Sequence, residues 1–271
     1  MTKSRFVISH QIIETPQGDV CFDYEADVYT VMISGGIDSA VTFYALCNTI
    51  AENHPNKYSV IIQPLHVVKS NSTDLGQYDF RDTNIEVRSI VEFVKSQFKH
   101  LNIKPPIIDK SDYWWIYQPW HNNTLERKYV IAQHAIINFV EWQYRKKNIK
   151  LHHYHGNTKS PNVEGFLKLK DIDTTMSATV LSRDDESKEI IYKGSVTKLT
   201  KNKNIAYYQP FRNADKRIIL WLADKLNVLE KLNDITNSCE GNKYDTGNFK
   251  YSCNKCWWCL ERQWALDNYV S

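Results

Sequence analysis

Two clusters in this 271-residue chain have residue types and spacings suited to chemistry. The first is Cys239, Cys253, Cys256 and Cys259, with two residues between successive members of the last three. Such gaps let consecutive thiolates turn around one ion. Four thiolates saturate a tetrahedral Zn²⁺ and leave no open position, as a structural site requires. Four thiolates also suit an iron–sulfur cluster, so the cysteines alone leave both metals open. Lys255 and nearby backbone amides are placed to offset the excess negative charge. Cys21 and Cys47 stand apart and read as ordinary buried thiols.

The second cluster is Ile33-Ser34-Gly35-Gly36-Ile37-Asp38-Ser39. It follows a compact β-branched run, Val28 to Ile33, and precedes a stretch from Asp38 to Ile50 free of Gly and Pro. A strand-to-helix junction gathers free backbone N–H groups and the positive end of a helix dipole at one point, which suits a phosphate. Two glycines let the backbone approach the anion closely. Ser34 and Ser39 add hydroxyls, and Asp38 can orient the loop or help hold Mg²⁺. The string lacks the G-K-[ST] of a Walker loop and the G-x-G-x-x-G of a dinucleotide fingerprint.

The elements around these clusters alternate. Phe6 to Tyr24 suggests a hairpin turning at Pro16-Gln17-Gly18, and Tyr58 to Val68 a second core strand. Ile85 to Phe98 has apolar residues at roughly helical spacing, Ile107 to Asp109 reads as a short strand, and Leu125 to Arg145 as a long helix. Lys150 to His155 predicts a strand ending at Gly156-Asn157, and Asp215 to Leu226 and Leu260 to Asn268 predict helices. Strand and helix in alternation imply a doubly wound, mostly parallel α/β sheet with helices on both faces. Residues 160–208 are irregular and polar, with one hairpin expected near Lys193-Gly194. His152, His153 and His155 cannot share one ion, because neighbouring strand residues face opposite sides. Trp114-Trp115 reads as core, and Trp257-Trp258 as a cover for the cysteine knuckle.

The string SGGIDS after a hydrophobic strand resembles the PP-loop of the N-type ATP pyrophosphatases. Together with the four cysteines it makes the chain similar to the 7-cyano-7-deazaguanine synthases. Thr236-Asn237-Ser238-Cys239 is similar to that family's T-W-S-C, and Cys256-x2-Cys259-Leu260-Glu261-Arg262 to its C-x-x-C-L-L-R. Pro210 to Ile219, with Lys216, resembles T-P-L-…-T-K-A-E-I, and Asn122 sits like the Asn of P-G-R-N. Gly156-Asn157 parallels the Gly and Asn closing a central strand. The likeness runs in order over about residues 28–265. His121 replaces the family's Arg, Asp74-Leu75-Gly76-Gln77 is a shifted form of its D-Y-G-Q, and residues 160–208 depart from its acceptor-recognition segments.

The resemblance implies an ATP-dependent carbon–nitrogen ligase with the adenine nucleotide alpha hydrolase-like fold. The carboxylate of 7-carboxy-7-deazaguanine is adenylated with release of pyrophosphate, ammonia displaces AMP, and a second round of ATP use gives the nitrile of queuosine- or archaeosine-type precursors. Asp38 and Lys216 are the implied catalytic residues. Ile33, Ser34, Gly35, Gly36, Asp38, Ser39, Asn122, Gly156 and Asn157 are the implied ATP contacts, Cys239, Cys253, Cys256 and Cys259 the ligands of a structural Zn²⁺, and Mg²⁺ accompanies ATP. Alternatives are a tRNA sulfurtransferase, another PP-loop enzyme modifying a protein or peptide, and a non-catalytic nucleotide-binding module.

The implied organisation is an N-terminal hairpin extension (1–27), a nucleotide-binding α/β domain (28–235, with the divergent insertion 160–208) and a zinc-binding segment (236–271). Small molecules are the expected partners: ATP, ammonia and a deazapurine carboxylate. A homodimer follows by analogy with the family. A net charge of +3 is too small to call for nucleic acid. No apolar run reaches the ~18 residues of a membrane helix, and no signal-peptide pattern opens the chain, so a cytoplasmic location is expected, where clustered thiols bind metal.

Overall fold

The strand β3 (Val28–Met32) is buried along its whole length because its two faces meet different helices. Val28 and Met32 pack with one apolar cluster, Tyr29 and Val31 with another. The structure is a computed structural model that describes residues 10–68, 82–110, 125–144, 149–159, 161, 196–199, 204–241 and 244–270. Asn122, Asp74 to Gln77, Trp114-Trp115, the expected turn at Lys193-Gly194 and most of 160–208 lie outside the described residues.

In chain order the elements are β1 (His10–Ile13), β2 (Val20–Asp23), β3, α1 (Ile37–Asn53), β4 (Ile61–Val68), α2 (Asn84–Gln97), β5 (Asn102–Ile103), β6 (Ile107–Lys110), α3 (Leu125–Tyr144), β7 (Leu151–His155), β8 (Val196–Leu199), β9 (Ile205–Tyr208), α4 (Lys216–Lys225), α5 (Leu229–Ile235) and α6 (Trp257–Asn268). β1 and β2 form a separate antiparallel hairpin, turning where Pro16-Gln17-Gly18 predicts. The main sheet runs β5-β4-β3-β7-β9-β8, with β6 also on β4. All its pairings are parallel except β8 against β9. α1, α2 and α4 cover the face that carries Tyr29 and Val31, and α3 covers the other through Ala132, Ile136, Ile137 and Val140. This is a doubly wound, mostly parallel α/β fold with a C-terminal four-cysteine cluster. Each fully buried aliphatic side chain in these layers contributes about 1.5–3 kcal/mol by leaving water.

The structure departs from the sequence reading in three places. Ile205 to Tyr208, inside the stretch expected to be irregular, is a main-sheet strand parallel to β7, with Ala206 and Tyr208 buried. Four residues are too few for a periodicity to emerge. α6 begins three residues before Leu260, at Trp257, because Cys256 serves as its N-cap. α5 and β5, seven and two residues long, were not expected. They are too short to carry a repeat pattern and are held by their neighbours.

The hairpin is tied to the sheet through Asp23. Its backbone N–H donates to the Tyr154 hydroxyl at 2.9 Å, and its Oδ2 lies 2.6 Å from His152 Nδ1. Gln17 in the hairpin turn accepts from the Asp215 amide at 3.0 Å, one residue before α4. Asp215 then caps α4, accepting from the Arg217 amide at 3.0 Å and pairing with its guanidinium at 2.7 Å. The N-terminal turn thus helps fix the start of the helix that carries Lys216.

Candidate functional site

The glycine turn between β3 and α1 is braced on every side. Behind it, the Ile33 amide donates to the Leu65 carbonyl at 2.8 Å, and His66 Nδ1 lies 2.7 Å from the Ile33 carbonyl. A carbonyl only accepts, so Nδ1 carries the proton and Nε2 accepts from Thr83 Oγ1 at 3.2 Å. Burial lowers the His66 pKa, so the ring stays neutral in this role. Within the turn, Ser39 Oγ accepts from the Ser34 amide at 3.1 Å and donates to the Gly36 carbonyl at 3.1 Å. The Gly36 amide donates to Ser34 Oγ at 3.3 Å.

Gly35 has φ +90, a conformation that L side chains rarely adopt, and an added Cβ would meet the Thr83 Cβ at 3.1 Å. Gly36 caps α1 and offers no side-chain acceptor to the helix's first amides. Those amides are the groups a helix start presents to an anion.

Gly156 closes β7 directly against this turn. A Cβ there would lie 2.8 Å from both the Cα and the amide nitrogen of Ser39. Only glycine permits that approach without moving α1. Asn157 follows and is exposed. Two residues on, the Lys159 amide donates to the Ala214 carbonyl at 2.9 Å, drawing the end of β7 to the start of α4.

Lys216, the first residue of α4, is 1% exposed. Its Nζ lies 3.0 Å from Asp38 Oδ2 in the first turn of α1 and 3.0 Å from Glu261 Oε2 on α6. Glu261 is fully buried. Trp258 sits with its ring centroid 5.9 Å from the same ammonium. The other carboxylate oxygen of Asp38, Oδ1, is buried with no hydrogen-bond partner among the described residues. Arg262 beside Glu261 donates to the Asn233 carbonyl at 2.7 Å and the Thr236 carbonyl at 3.0 Å, closing the end of α5. Burial lowers the Arg262 pKa, opposed by the negative charges of the Asp38 carboxylate and of a Cys259 thiolate.

The four cysteines converge. One sulfur from each of Cys239, Cys253, Cys256 and Cys259 lies within 4.8 Å of the others, and Cys253 and Cys259 are 4.0 Å apart. Around one tetrahedral ion with Zn–S bonds of about 2.3 Å, sulfurs sit about 3.8 Å apart, so the donor set and its span fit such an ion. Backbone amides point at these sulfurs: Cys253 and Gly241 donate to Cys239 Sγ at 3.2 and 3.3 Å, and Cys256 to Cys253 Sγ at 3.3 Å. Hydrogen bonds from Cys256 and Cys259 drive the Cys239 thiol far down. The hydrogen bond to Cys239 pushes Cys259 up to about 11. Lys255 pairs with Asp245 at 2.6 Å, which raises its pKa, and the Cys253 sulfur adds to that rise, so the lysine and the amides both bear on the charge of the sulfurs.

The metal segment also grips the glycine turn. The Asn237 amide donates to the Gly35 carbonyl at 2.9 Å, and Ser238 Oγ would lie 3.3 Å from a Cβ on Gly36. Loop, lysine and cysteine segment, far apart in sequence, form one continuous site. The histidines divide as the strand alternation requires. His152 meets Asp23 on one face, while His153 meets Thr30 Oγ1 at 2.5 Å and Glu141 at 3.3 Å on the other. Among the described residues the four cysteines are the one group arranged to hold a metal.

Glu261 was not foreseen as a site residue. The available signal was a carboxylate where the resembled motif has its second Leu. Trp258, between Cys256 and Cys259 on α6, has its ring centroid 5.9 Å from the Lys216 ammonium, a neighbour its sequence context does not reveal.

The parallel sheet wound on both faces, with a glycine turn at the carboxyl end of a central strand and a four-cysteine cluster beside it, defines the class: a doubly wound α/β fold, of the kind in which ligands bind outside the carboxyl ends of the strands. No protein-family model matches the chain, and no curated protein matches it in sequence. Among solved structures it is similar to the U34-tRNA thiolase NcsA from Methanococcus maripaludis with its [4Fe-4S] cluster, at 14% identity and a TM-score of 0.43. That match covers 78% of this chain and 65% of the thiolase chain.

Proposed function

We propose that this chain is a PP-loop ATP-using enzyme that adenylates the carboxylate of 7-carboxy-7-deazaguanine with release of pyrophosphate, lets ammonia displace AMP to give the amide, and with a second ATP dehydrates that amide to 7-cyano-7-deazaguanine. The observation that carries this reading is the convergence of the Ser34–Ser39 turn, the start of α1 and the Lys216 ammonium beside Asp38. Ile33, Ser34, Gly35, Gly36, Asp38 and Ser39 would hold the phosphates of ATP, with Gly156 and Asn157 at the neighbouring strand end. A carboxylate oxygen leaves poorly, whereas AMP leaves well. Adenylation therefore needs cationic groups where charge gathers on the departing pyrophosphate. Lys216, buried beside Asp38 and the start of α1, would supply such a cation. The buried Asp38 Oδ1, without a partner among the described residues, suits the Mg²⁺ that accompanies ATP and would neutralise phosphate charge there.

The cysteine set is proposed to hold Zn²⁺ in a structural role. A single ion gathers four sulfurs within the span seen here, whereas a four-iron cluster spreads its cysteines over separate irons. Cys47 is fully buried and its thiol is pushed up by burial, which makes it a poor sulfur carrier and disfavours a sulfurtransferase working through that residue.

The test is incubation with ATP, Mg²⁺, ammonia and 7-carboxy-7-deazaguanine. AMP, pyrophosphate and nitrile are expected together. AMP formed only with tRNA or a peptide acceptor would transfer the adenylation to another substrate, and ATP binding without turnover would leave a nucleotide-binding module. A colourless protein with one equivalent of zinc is expected, and charge-transfer absorption in the visible would overturn the zinc assignment.

A further inference from the structure

Two continuous routes run from the cysteine ligands to the glycine turn. On the first, Cys239 follows Asn237 by two residues, and the Asn237 amide donates to the Gly35 carbonyl at 2.9 Å. Arg262 fastens the chain just before it, through the Thr236 carbonyl at 3.0 Å and Thr236 Oγ1 at 3.1 Å. On the second, Cys256 caps α6, Cys259 lies in its first turn, and Glu261 follows Cys259 by two residues on the same helix. Glu261 Oε2 is 3.0 Å from Lys216 Nζ, which is 3.0 Å from Asp38 Oδ2. Lys216 and Glu261 are both buried, at 1% and 0% exposure, so neither can trade its partner for water.

A lysine ammonium is a point charge on a flexible stem and takes its direction from its acceptors. Here two of the acceptors are carboxylates on two different helices. One rides on α1, behind the glycine turn. The other rides on the helix whose N-terminus carries two of the four sulfurs. An ion drawing Cys256 and Cys259 toward Cys239 and Cys253 fixes the first turn of α6, and with it the origin of the Glu261 side chain. The leucine of the resembled motif at this position would pack but not steer an ammonium.

We propose that Glu261 is a positioning residue for Lys216, holding its ammonium against Asp38 in a placement that depends on the ion at the four cysteines. The proposal draws on the nucleotide reading only for its consequence, that metal loading and ATP binding favour each other. The placement of Lys216 stands on the distances. Coupling of this kind is reciprocal: whatever factor the metal adds to ATP affinity, ATP adds to metal affinity.

The test reads Lys216 directly, by acylation with a lysine-reactive ester and peptide mass spectrometry on the full chain. Four preparations are compared: zinc-loaded wild type, chelator-stripped wild type, and zinc-loaded Glu261→Gln and Glu261→Asp. Lys216 is expected to label about tenfold faster in stripped wild type and in Glu261→Gln, in the ordinary range for coupled sites. Glu261→Asp returns the charge one methylene short and should regain part of the protection, which a packing role would not produce. Lys57, whose ammonium donates to the Ala51 carbonyl at 2.6 Å on α1, is the control for general opening and should label equally throughout. The dissociation constant for ATP with Mg²⁺ should rise by a similar factor on stripping the wild type, and respond little to stripping in Glu261→Gln.

Equal protection of Lys216 in zinc-loaded wild type and Glu261→Gln would overturn the proposal. So would loss of zinc from Glu261→Gln, which would make Glu261 a packing residue of the metal segment. Failure of every preparation to bind ATP would refute the nucleotide reading, while the labelling would still decide the role of Glu261.

Discussion

Replacing Lys216 with methionine removes the ammonium that lies 3.0 Å from both carboxylates and keeps most of the stem's volume. At 3.0 Å, each Nζ–carboxylate attraction is worth about 5 kcal/mol gross at an effective dielectric near 20. Desolvation of all three groups and repulsion between the carboxylates offset much of that sum. What remains after truncation is governed by Glu261, which is 0% exposed and would lose the ammonium 3.0 Å from its Oε2. Breaking a buried pair in this way destabilises by about 3–5 kcal/mol. For a chain of this length that lowers the melting temperature by about 6–10 °C, at roughly 2 °C per kcal/mol.

The double variant Lys216→Met/Glu261→Leu should recover most of the loss, because a buried ion pair replaced by apolar groups of similar volume is often neutral or stabilising. Asp38, with its side chain 15% exposed, retains access to water. The assay is urea unfolding of the metal-loaded wild type, both single variants and the double, read as a thermodynamic cycle. A Lys216→Met loss below about 1 kcal/mol, or a double variant as unstable as the single, would refute a desolvated Asp38–Lys216–Glu261 cluster.

Three further outcomes are expected. Gly156→Ala places a Cβ 2.8 Å from the backbone of Ser39, which cannot rotate aside; it should cost about 1–3 kcal/mol and weaken ATP binding, and unchanged calorimetric affinity would count against the site. Asp215→Ala removes an N-cap acceptor and should cost about 1–2 kcal/mol at neutral pH. Burial raises the Asp215 pKa, but hydrogen bonds from Arg217 and Gln17 outweigh it and bring it below the usual value. Its contribution is therefore present above the unfolded value of about 3.9 and lost as pH falls through the folded value, so equal losses at pH 7 and pH 3 would contradict the cap.

Burial also lowers the pKa of His66 and His153, and that of His155 to about 4. Their unfolded values lie near 6.5, so below that pH the unfolded chain binds more protons, and stability should fall progressively between about pH 6.5 and pH 4. Urea midpoints that stay flat from pH 7.5 to 5 would sink this expectation.

The parts of the fold legible in the sequence were those with long, one-sided patterns. β3, α1, β4, α2 and β7 appear where apolar runs and helical spacing predict them, with ends displaced by a few residues. β9 was missed because Ile205 to Tyr208 is short and follows a polar stretch; only its pairing with β7 makes it a core strand. The glycine turn and the cysteine spacing were legible because close backbone approach and the gathering of four thiols demand particular residues at particular intervals. Glu261 was not, since nothing local distinguishes a carboxylate facing a buried lysine from one facing solvent.

The amino-acid string alone determined residue chemistry over short range: a glycine turn after a buried strand, and four thiols spaced closely enough to gather at one point. Both depend on backbone geometry within a few residues, which local sequence controls. That these two features are halves of one site is a fact of packing. It took the parallel pairing of β3 with β7 to bring Gly156 against Ser39, and α4 and α6 to bring Lys216 and Glu261 to Asp38. Contacts between residues more than a hundred positions apart follow from how layers stack to bury apolar surface, and the sequence pattern of each element is silent about which of its polar residues that stacking will bring together.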